Sequence, residues 1–277
     1  MENKRQTITA HCIIKNEENF VGFAIRSVID YVDKVLVFDT GSTDETVSIV
    51  KKITEEFPNK IVLEEKGECD KTKHSTLRQE MLEKTKTDWF MLLDGDEVWT
   101  KRGIEEAVVV LNGVDECINW LASPYYLCVG DVYHTYYKEK FDVFYNRTGF
   151  YTPRFIRNRK DIEWRGYYEQ DTLYFKDTDK TVYSPKSIYF LTNHYWHLTH
   201  LSRSSKDQNV YTSGIAKNRG EKKRLTYFLI GRKINEPIPE VFINDGVRIV
   251  SLARSVYNFI ILMLKQPKLI IRKIYYK

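Results

Sequence analysis

Trp89–Glu97 reads Trp-Phe-Met-Leu-Leu-Asp-Gly-Asp-Glu, and this stretch decides the fold. Five apolar residues in a row are long enough for a buried strand, and they stop at two carboxylates. A buried strand that ends in D-x-D places Asp94 and Asp96 at the carboxyl edge of a sheet, where open α/β sheets bind ligands. Their hard oxygen atoms suit Mg²⁺ or Mn²⁺ carrying a diphosphate. The simpler alternative is a strand that runs into a solvated acidic turn.

The segments before this stretch alternate between strand and helix patterns. Strands are predicted at 8–14, 34–39 and 61–63, and a helix is predicted around 72–87. A further helix follows the first strand, with apolar residues at helical spacing: Phe20, Val21, Ala24, Ile25, Val28 and Ile29. This alternation predicts a mostly parallel sheet with right-handed crossovers.

A capping box is expected to start the helix after the second strand, with Ser42 as the cap and Glu45 three residues later. That helix is predicted to bury Val47, Val50 and Ile53. Asp96, in contrast, is expected at an exposed strand end.

Three linked motifs resemble the family 2 glycosyltransferases, which have the GT-A fold. They are K-N-E-E at 15–18, F-D-T-G-S-T-D-E-T at 38–46 and D-W-F-M-L-L-D-G-D-E at 88–97. The resemblance covers about residues 7–110, where the motifs occur in the same order and at the same spacing. Within the family, the chain most resembles the branch that acts on lipopolysaccharide cores and surface glycans. The resemblance is weaker to about residue 205, and the last seventy residues lie outside it.

The resemblance implies roles for the acidic residues. It implies that Asp94 reaches the ribose side, directly or through water, and that Asp94 and Asp96 provide the site for Mn²⁺ or Mg²⁺. Glu97 is expected to anchor the loop. Asp39 is assigned to the nucleobase, the alternative being an Asp that caps the following turn.

Three further residues are candidates for the nucleotide-sugar site. Asn16 and Glu18 follow the first strand and would line the same cleft, although either could simply cap the first helix. Arg78 matches an arginine that contacts the nucleotide in relatives. Its alternative role is a solvated partner of Glu80 or Glu83.

The general base is assigned from a weaker match. In the resembling branch, the catalytic carboxylate follows a strand of the R-x-F/R-N type and then an aromatic turn that contains glycine. In this chain the strand matches P-R-F-I-R-N at 153–158, and the turn with its acid matches W-R-G-Y-Y-E at 164–169. Relatives commonly have a histidine before this acid, whereas this chain has Tyr168. Glu169 is the first choice for general base and Asp171 the second. The alternative is a structural pairing of Glu169 with Arg154 or Arg165.

The stretch N-H-Y-W-H-L-T-H at 193–200 contains three of the six histidines. Many GT-A enzymes complete the metal shell with a histidine after the acceptor region. The spacing of His194, His197 and His200 would line one helical face, and it also fits a zinc-like cluster. One ligand and two bystanders are favoured, with His194 preferred narrowly over His197.

Composition limits the class of protein and its compartment. A chain of 277 residues with 42% hydrophobic residues suits one large domain or a domain with an appendage. The four cysteines are scattered without a C-x-x-C pair, and the N-terminal residues contain no apolar signal-peptide pattern. Both features favour a reducing cytoplasm.

The basic excess lies in the last thirty or so residues. Residues 247–277 carry seven basic residues and no acidic one, so the other residues have 36 basic against 38 acidic residues, a net −2. This excludes a basic nucleic-acid-binding core and indicates a local anionic partner. We expect a GT-A domain at 1–230, a linker at 231–246 and, at 247–277, a basic amphipathic helix at the inner face of the membrane. A helix docked on the domain or on a second copy is the alternative.

The leading hypothesis is an inverting, metal-dependent glycosyltransferase with a nucleotide-sugar donor, UDP-linked, and a glycan or lipid-linked acceptor. One alternative is a nucleotidyltransferase on a similar sheet, which would normally show a glycine-rich, basic phosphate loop where this chain has K-N-E-E. The other alternative is a catalytically inactive glycan-binding relative.

Overall fold

The computed structural model describes residues 5–136, 143–168, 170–206 and 231–244. Its helices and strands alternate in the first half of the chain, and strands dominate the second half. In chain order they are β1 (Ile8–Ile14), α1 (Val21–Val28), β2 (Lys34–Asp39), α2 (Thr46–Glu56), β3 (Ile61–Glu65), α3 (Lys71–Lys84), β4 (Trp89–Leu92), β5 (Glu97–Trp99), α4 (Lys101–Gly113), β6 (Trp120–Leu127), β7 (His134–Thr135), β8 (Val143–Phe144), β9 (Arg147–Thr148), β10 (Tyr151–Arg157), β11 (Ile162–Arg165), β12 (Thr172–Phe175), β13 (Ile188–Phe190), β14 (Tyr195–His197), β15 (Arg232–Lys233) and α5 (Val241–Asn244).

The main sheet has the strand order β3-β2-β1-β4-β10-β6-β14-β5, with β13 also paired to β6. The first four strands are parallel, whereas β10 runs antiparallel to both of its neighbours. Strand β14 is parallel to β6 and antiparallel to β5. The expected mixed, mostly parallel sheet with flanking helices is therefore confirmed, and so is the GT-A class that the motifs implied.

The core lies between this sheet and its helices. The six apolar residues predicted for the first helix are all buried, because their spacing puts them on one face. In α2, Val50 and Ile53 are buried, and Val47 is half-buried. The strand prediction for 8–14 matches β1, and Cys12 lies in it as a free, fully buried thiol.

The capping-box prediction is wrong. Helix α2 begins at Thr46 after a Glu45 that makes no side-chain cap. The backbone N–H of Glu45 instead donates to Glu18 Oε2, and that of Thr46 donates to Asp44 Oδ1. Ser42 Oγ accepts from the backbone N–H of Asn16, so the residues after β1 and β2 hold each other.

Residues 231–244, expected to form most of a linker, carry core side chains. Ile234 and Phe242 are buried in the cluster that also contains Phe20 and Trp196. Strand β15 pairs with β7, and Glu240 accepts from the backbone N–H of Lys101 at the start of α4. Residues 245–246 and the predicted helix at 247–277 lie outside the described residues. Within the part of the chain that is described, no helix combines the length and apolar character needed to cross a membrane.

Candidate active site

The D-x-D turn joins β4 to β5 at the carboxyl edge of the parallel strands. The backbone N–H of Glu97 donates to Asp94 O at 3.0 Å, which closes the turn. Gly95 lies so close to the loop after β1 that an added Cβ would come within 3.0 Å of Ile14 and Glu17. A glycine between the two acids therefore lets the turn pack against that loop.

The first carboxylate of the turn, Asp94, lies in a network with three buried side chains, those of Arg154, Glu97 and Tyr195. Arg154 contacts Asp94 Oδ2 at 3.2 Å and also pairs with Glu97 Oε1. The hydroxyl of Tyr195 donates to Glu97 Oε1 at 2.9 Å, and Arg154 Nε donates to the same hydroxyl at 3.2 Å. Burial, assisted by the neighbouring Asp94 and Asp96 against the opposing effect of Arg154, raises the pKa of Glu97 to about 8. Arg154 therefore ties both ends of the turn to β10.

Arg154 also determines the charge state of Asp94. Burial alone would raise the pKa of this carboxyl, but Arg154 first, then Arg78, His197 and Arg203, hold it below its usual value. Asp94 is therefore an ionised hydrogen-bond acceptor across the physiological pH range.

The second carboxylate of the turn, Asp96, meets two side chains from distant segments. It is 2% exposed, so the expectation of an exposed strand end is wrong for this residue. Its Oδ2 lies 3.6 Å from His197 Nε2 and 2.7 Å from Arg203 Nη2. Arg203 Nη1 lies 2.6 Å from Glu17 Oε1, so one buried guanidinium bridges Glu17 and Asp96.

The donor atoms around Asp96 fit a divalent cation that a substrate helps to hold. No group of three or more His, Cys, Asp or Glu residues with metal-site geometry occurs among the described residues. Asp96 and His197 alone supply one carboxylate and one imidazole, and Mg²⁺ sites typically use one or two carboxylates plus substrate phosphates. Burial lowers the pKa of His197 despite the opposing effect of Asp96, so the imidazole is neutral and keeps its lone pair.

The structure separates the two histidines that were candidates for the metal. The helical spacing expected for them is wrong, because Tyr195–His197 forms β14 and neighbouring residues of a strand point to opposite faces. His194 stacks on Tyr126 at 4.1 Å, with its Nδ1 3.3 Å from Glu236 Oε1. His197, not the preferred His194, is the one that lies beside Asp96.

Asp39 has one engaged and one unengaged carboxylate oxygen. Its Oδ2 accepts from the backbone N–H groups of Gly41 and Ser42, which is the turn-capping role considered as the alternative. Its Oδ1 is buried and has no hydrogen-bond partner among the described residues. A buried, unsatisfied acceptor is costly, so a ligand that donates to Oδ1 would stabilise the site.

Asn16 and Glu18 hold the loops that border the cleft. Asn16 has a positive φ of 53°, and its side-chain oxygen accepts from the backbone N–H of Thr43. Glu18 accepts from the backbone N–H groups of Glu45 and Ser205. Neither residue caps the first helix, which has no side-chain cap; they instead join loops from three parts of the chain around the end of β1.

Arg78 has a different partner from the two glutamates considered. Its Nε lies 2.8 Å from Asp171 Oδ2, and its guanidinium lies over the ring of Trp164. His74 Nδ1 is 3.2 Å from the same Asp171 oxygen. Burial alone would raise the pKa of Asp171, but His74 and Arg78 bring it below its usual value. Glu169 lies outside the described residues, whereas Arg154 and Arg165 have other acidic partners, Glu97 and Glu163 respectively.

Two buried arginines were missed in the sequence. Arg154 is a charged residue inside an otherwise strand-like run, followed directly by Phe155 and Ile156, and that interruption was a usable signal. Arg203 lies in a short polar run after the third histidine, and nothing in its neighbours indicates that it reaches Glu17 and Asp96.

A family model and two curated relatives match parts of the catalytic region. A sequence model of the family described as "Glycosyl transferase family 2" matches residues 10–168. Over 120 residues the chain is 30% identical to the SPbeta prophage-derived glycosyltransferase SunS of Bacillus subtilis (strain 168) and, equally, to the glycosyltransferase SunS of Bacillus phage SPbeta. This match covers 43% of the chain and 27% of each relative, so the chain spans about a quarter of their length.

Solved structures with a similar arrangement cover less than half of the chain. The mannosyltransferase PcManGT from Pyrobaculum calidifontis, in complex with GDP-Man and Mn²⁺, has a TM-score of 0.38 and 19% identity, covering 44% of this chain and 36% of that one. Glucosyl-3-phosphoglycerate synthase from Mycobacterium tuberculosis, with Mn²⁺, UDP and phosphoglyceric acid, has a TM-score of 0.33 and 21% identity, covering 43% of each chain. S. aureus TarS 1-349 in complex with UDP has a TM-score of 0.35 and 20% identity, covering 43% and 35%.

Proposed function

Since the chain belongs to glycosyl transferase family 2, we propose that it is an inverting, metal-dependent glycosyltransferase that moves a sugar from a UDP-sugar to a hydroxyl group. The observation that carries this proposal is the meeting of Asp96 with His197, 3.6 Å apart at the carboxyl edge of the sheet. The buried carboxylate and the half-buried, neutral imidazole would provide the two protein ligands of a cation that a diphosphate would complete. Mn²⁺ or Mg²⁺ bound there would neutralise charge on the departing diphosphate.

The nucleotide would lie over the ends of β1 and β2. Asp39 Oδ1 is the buried acceptor for a base or ribose donor, and Asn16 borders the same cleft. Asp94 is ionised and oriented by Arg154, which suits a carboxylate that accepts from a ribose hydroxyl, directly or through water. Glu18 contributes indirectly, since it fixes the loops on both sides.

The base would take the proton of the acceptor hydroxyl as that oxygen attacks the anomeric carbon. We keep Glu169 as the first choice and Asp171 as the second. The contact of Asp171 with Arg78 supports this order. It helps to lower the pKa of Asp171, and a carboxylate with a lower pKa is a weaker proton acceptor. Arg78 then acts through Asp171 and through the face of Trp164, in addition to any contact with the nucleotide.

We propose a glycan or lipid-linked acceptor, reached at the inner face of the membrane, and a role in the synthesis of a surface polysaccharide. The support is the charge distribution, with seven basic residues and no acidic one in 247–277. Each basic residue near an anionic leaflet adds about 1 kcal/mol of attraction. The catalytic region carries no basic excess that would call for a nucleic acid as partner.

A thermal-shift panel of nucleoside diphosphates, with and without Mn²⁺, tests the proposal. UDP with Mn²⁺ should raise the melting temperature by mass action on the folded state, and UDP with EDTA should raise it far less. Stabilisation by no nucleotide under either condition would leave the inactive glycan-binding relative as the better description. Transfer to a hydroxyl acceptor, measured as UDP release, then separates an active enzyme from a protein that only binds.

A further inference from the structure

A small recess adjoins the D-x-D turn through Arg154, which is one of its lining residues. Its walls come from α3, β10, the β11–β12 hairpin and the loop before β13. Six of its lining side chains carry polar groups: Arg78, Thr152, Arg154, Trp164, Asp171 and Tyr183. Arg154 links the recess to the turn, because the same guanidinium contacts Asp94 at 3.2 Å. We call this cavity the Trp164 recess.

The carboxylates at the Trp164 recess already have cationic partners. Asp171 Oδ2 is contacted by Arg78 Nε at 2.8 Å and by His74 Nδ1 at 3.2 Å. Arg154 is likewise paired with Asp94 and Glu97. Each guanidinium therefore lies beside a carboxylate, and a ligand that enters the recess meets no uncompensated positive charge from these two arginines.

The donors at the Trp164 recess are not all used. Trp164 is 8% exposed, and its indole Nε1 is buried with no hydrogen-bond partner in the described part of the chain. Arg78 Nε lies 2.8 Å from Asp171 Oδ2, and the guanidinium lies over the ring of Trp164. An indole nitrogen can only donate, so Trp164 requires an acceptor oxygen that no described protein group supplies.

We infer that the Trp164 recess holds the acetamido group of the transferred sugar, so that the donor is a UDP-N-acetylhexosamine. The amide carbonyl is a neutral acceptor for Trp164 Nε1 and Arg78, which suits a recess whose charges are already paired. The methyl group would pack on Leu92 and Pro153, the apolar part of the lining. This inference rests on the proposed function, because it takes the diphosphate to lie at Asp94 and Asp96.

Calorimetric titration of the full chain with Mn²⁺, without an acceptor, tests the inference. The probes are UDP, UDP-GlcNAc, UDP-GalNAc, UDP-glucose and UDP-glucuronic acid. At least one of the two acetamido sugars should bind roughly tenfold more tightly than UDP-glucose, the worth of one well-placed hydrogen bond to a buried donor. In Trp164→Phe, the acetamido sugars and UDP-glucose should bind with nearly equal affinity, while the affinity for UDP stays unchanged.

A matched control separates loss of the indole N–H from general loosening of the core. Trp120 is also buried, but its Nε1 donates to Ser184 O at 3.2 Å. Trp120→Phe should therefore keep the preference for the acetamido sugar, whatever it does to the melting temperature. If Trp164→Phe is too unstable to titrate, Arg78→Gln provides the second variant, with the same expected loss of preference.

The outcomes distinguish this inference from the proposed function. If UDP fails to bind with Mn²⁺, the proposed function fails and the inference falls with it. If UDP binds but neither acetamido sugar is preferred over UDP-glucose, only the inference is overturned. Preferential binding of UDP-glucuronic acid would overturn it too, since the recess would then take an anion. The inference is also overturned if free N-acetylglucosamine binds the complex with UDP while the acetamido donors and UDP-glucose bind equally well. The amide carbonyl in the recess would then belong to the acceptor.

Discussion

Arg203 lies against Asp96, with Nη2 2.7 Å from Oδ2, and thereby puts a positive charge at the carboxylate that would hold a divalent cation. The same guanidinium reaches Glu17, the third residue of the K-N-E-E motif. Both carboxylates are buried, so each depends on Arg203 for compensation. A divalent cation and Arg203 would therefore be alternative partners of the Asp96 carboxylate.

The first prediction concerns this exchange of partners. Arg203→Gln should lower the melting temperature in EDTA, because removing one partner of a buried pair costs roughly 3–5 kcal/mol. Mn²⁺ alone should then stabilise the variant more than the wild type, since the metal restores the missing charge at Asp96. Thermal shift and Mn²⁺ paramagnetic resonance measure the two effects. Arg159→Gln is the control, since Arg159 pairs with Asp161 at a surface site. An equal Mn²⁺ shift in Arg203→Gln and wild type would contradict the exchange.

The second prediction concerns Asp96 itself. Asp96→Asn should abolish the Mn²⁺-dependent part of UDP binding and reduce transfer to background, because the cation loses its carboxylate. The variant should also be less stable than the wild type, since Arg203 then loses its ion pair with the Asp96 carboxylate. UDP titrations with Mn²⁺ and with EDTA check the first part, and urea unfolding checks the second. Full activity in this variant would remove the D-x-D turn from the mechanism.

The third prediction distinguishes the two candidate bases. Glu169→Gln should lower kcat by roughly 10²- to 10⁴-fold, the usual worth of general-base catalysis, with UDP affinity near normal. Asp171→Asn should instead disturb the contacts with Arg78 and His74, and should change the affinity for the donor more than kcat. Steady-state kinetics with both substrates varied separates the two patterns. The assignment moves two residues along the chain if Asp171→Asn shows the large loss in kcat and Glu169→Gln does not.

The fourth prediction concerns stability at acidic pH. His11 is fully buried against Phe90, and burial lowers its pKa to about 3. The unfolded chain, with an ordinary pKa near 6.5, binds the proton first, so stability is present above pH 6.5 and is lost as the pH falls towards 3. Between pH 7 and pH 4.5 this one group should remove about 2–3 kcal/mol from the free energy of unfolding. His11→Asn should show a correspondingly smaller loss in urea unfolding over that range.

The fifth prediction concerns the basic residues at the end of the chain. Replacing Lys265, Lys268, Arg272, Lys273 and Lys277 by glutamine should abolish sedimentation with vesicles containing phosphatidylserine, because each contributes about 1 kcal/mol of attraction. Salt should weaken the binding of the wild type for the same reason. The control replaces five exposed lysines of the catalytic region, Lys52, Lys86, Lys160, Lys180 and Lys186, and should leave sedimentation unchanged. Wild-type protein that ignores such vesicles at low salt would refute the membrane proposal.

The first half of the fold could be predicted because its information is local. Apolar runs that end at polar residues located β1, β2 and β4, and helical spacing located the buried face of α1. The start of α2 was mispredicted because tertiary contacts replaced the local cap: Glu18, from the loop after β1, took the role assigned to Ser42. A sequence pattern can predict a helix cap only when the two partners are close together in the sequence.

The candidate site was predictable in its acids and not in its arginines. Asp94 and Asp96 follow a strand, so their position at the sheet edge follows from the chain order. The position of His197 could be predicted only if its segment were known to be a strand. That strand has three residues, which are too few to show the two-residue periodicity of a strand. Arg154 and Arg203 reach the turn through pairings that only the folded sheet creates.

The pairing of β5 with β14 sets the order in which the enzyme can become functional during synthesis. His197 lies opposite Glu97 in this ladder, although the two are separated by about a third of the chain. A ribosome-bound chain that has exposed only β1 to β5 holds both acids of the turn, but it lacks the imidazole and both arginines that complete their surroundings. Such long-range contacts form late, since the intervening loop must be closed first. A truncated translation product that ends before β14 would thus carry the complete acidic motif without the imidazole that lies beside it.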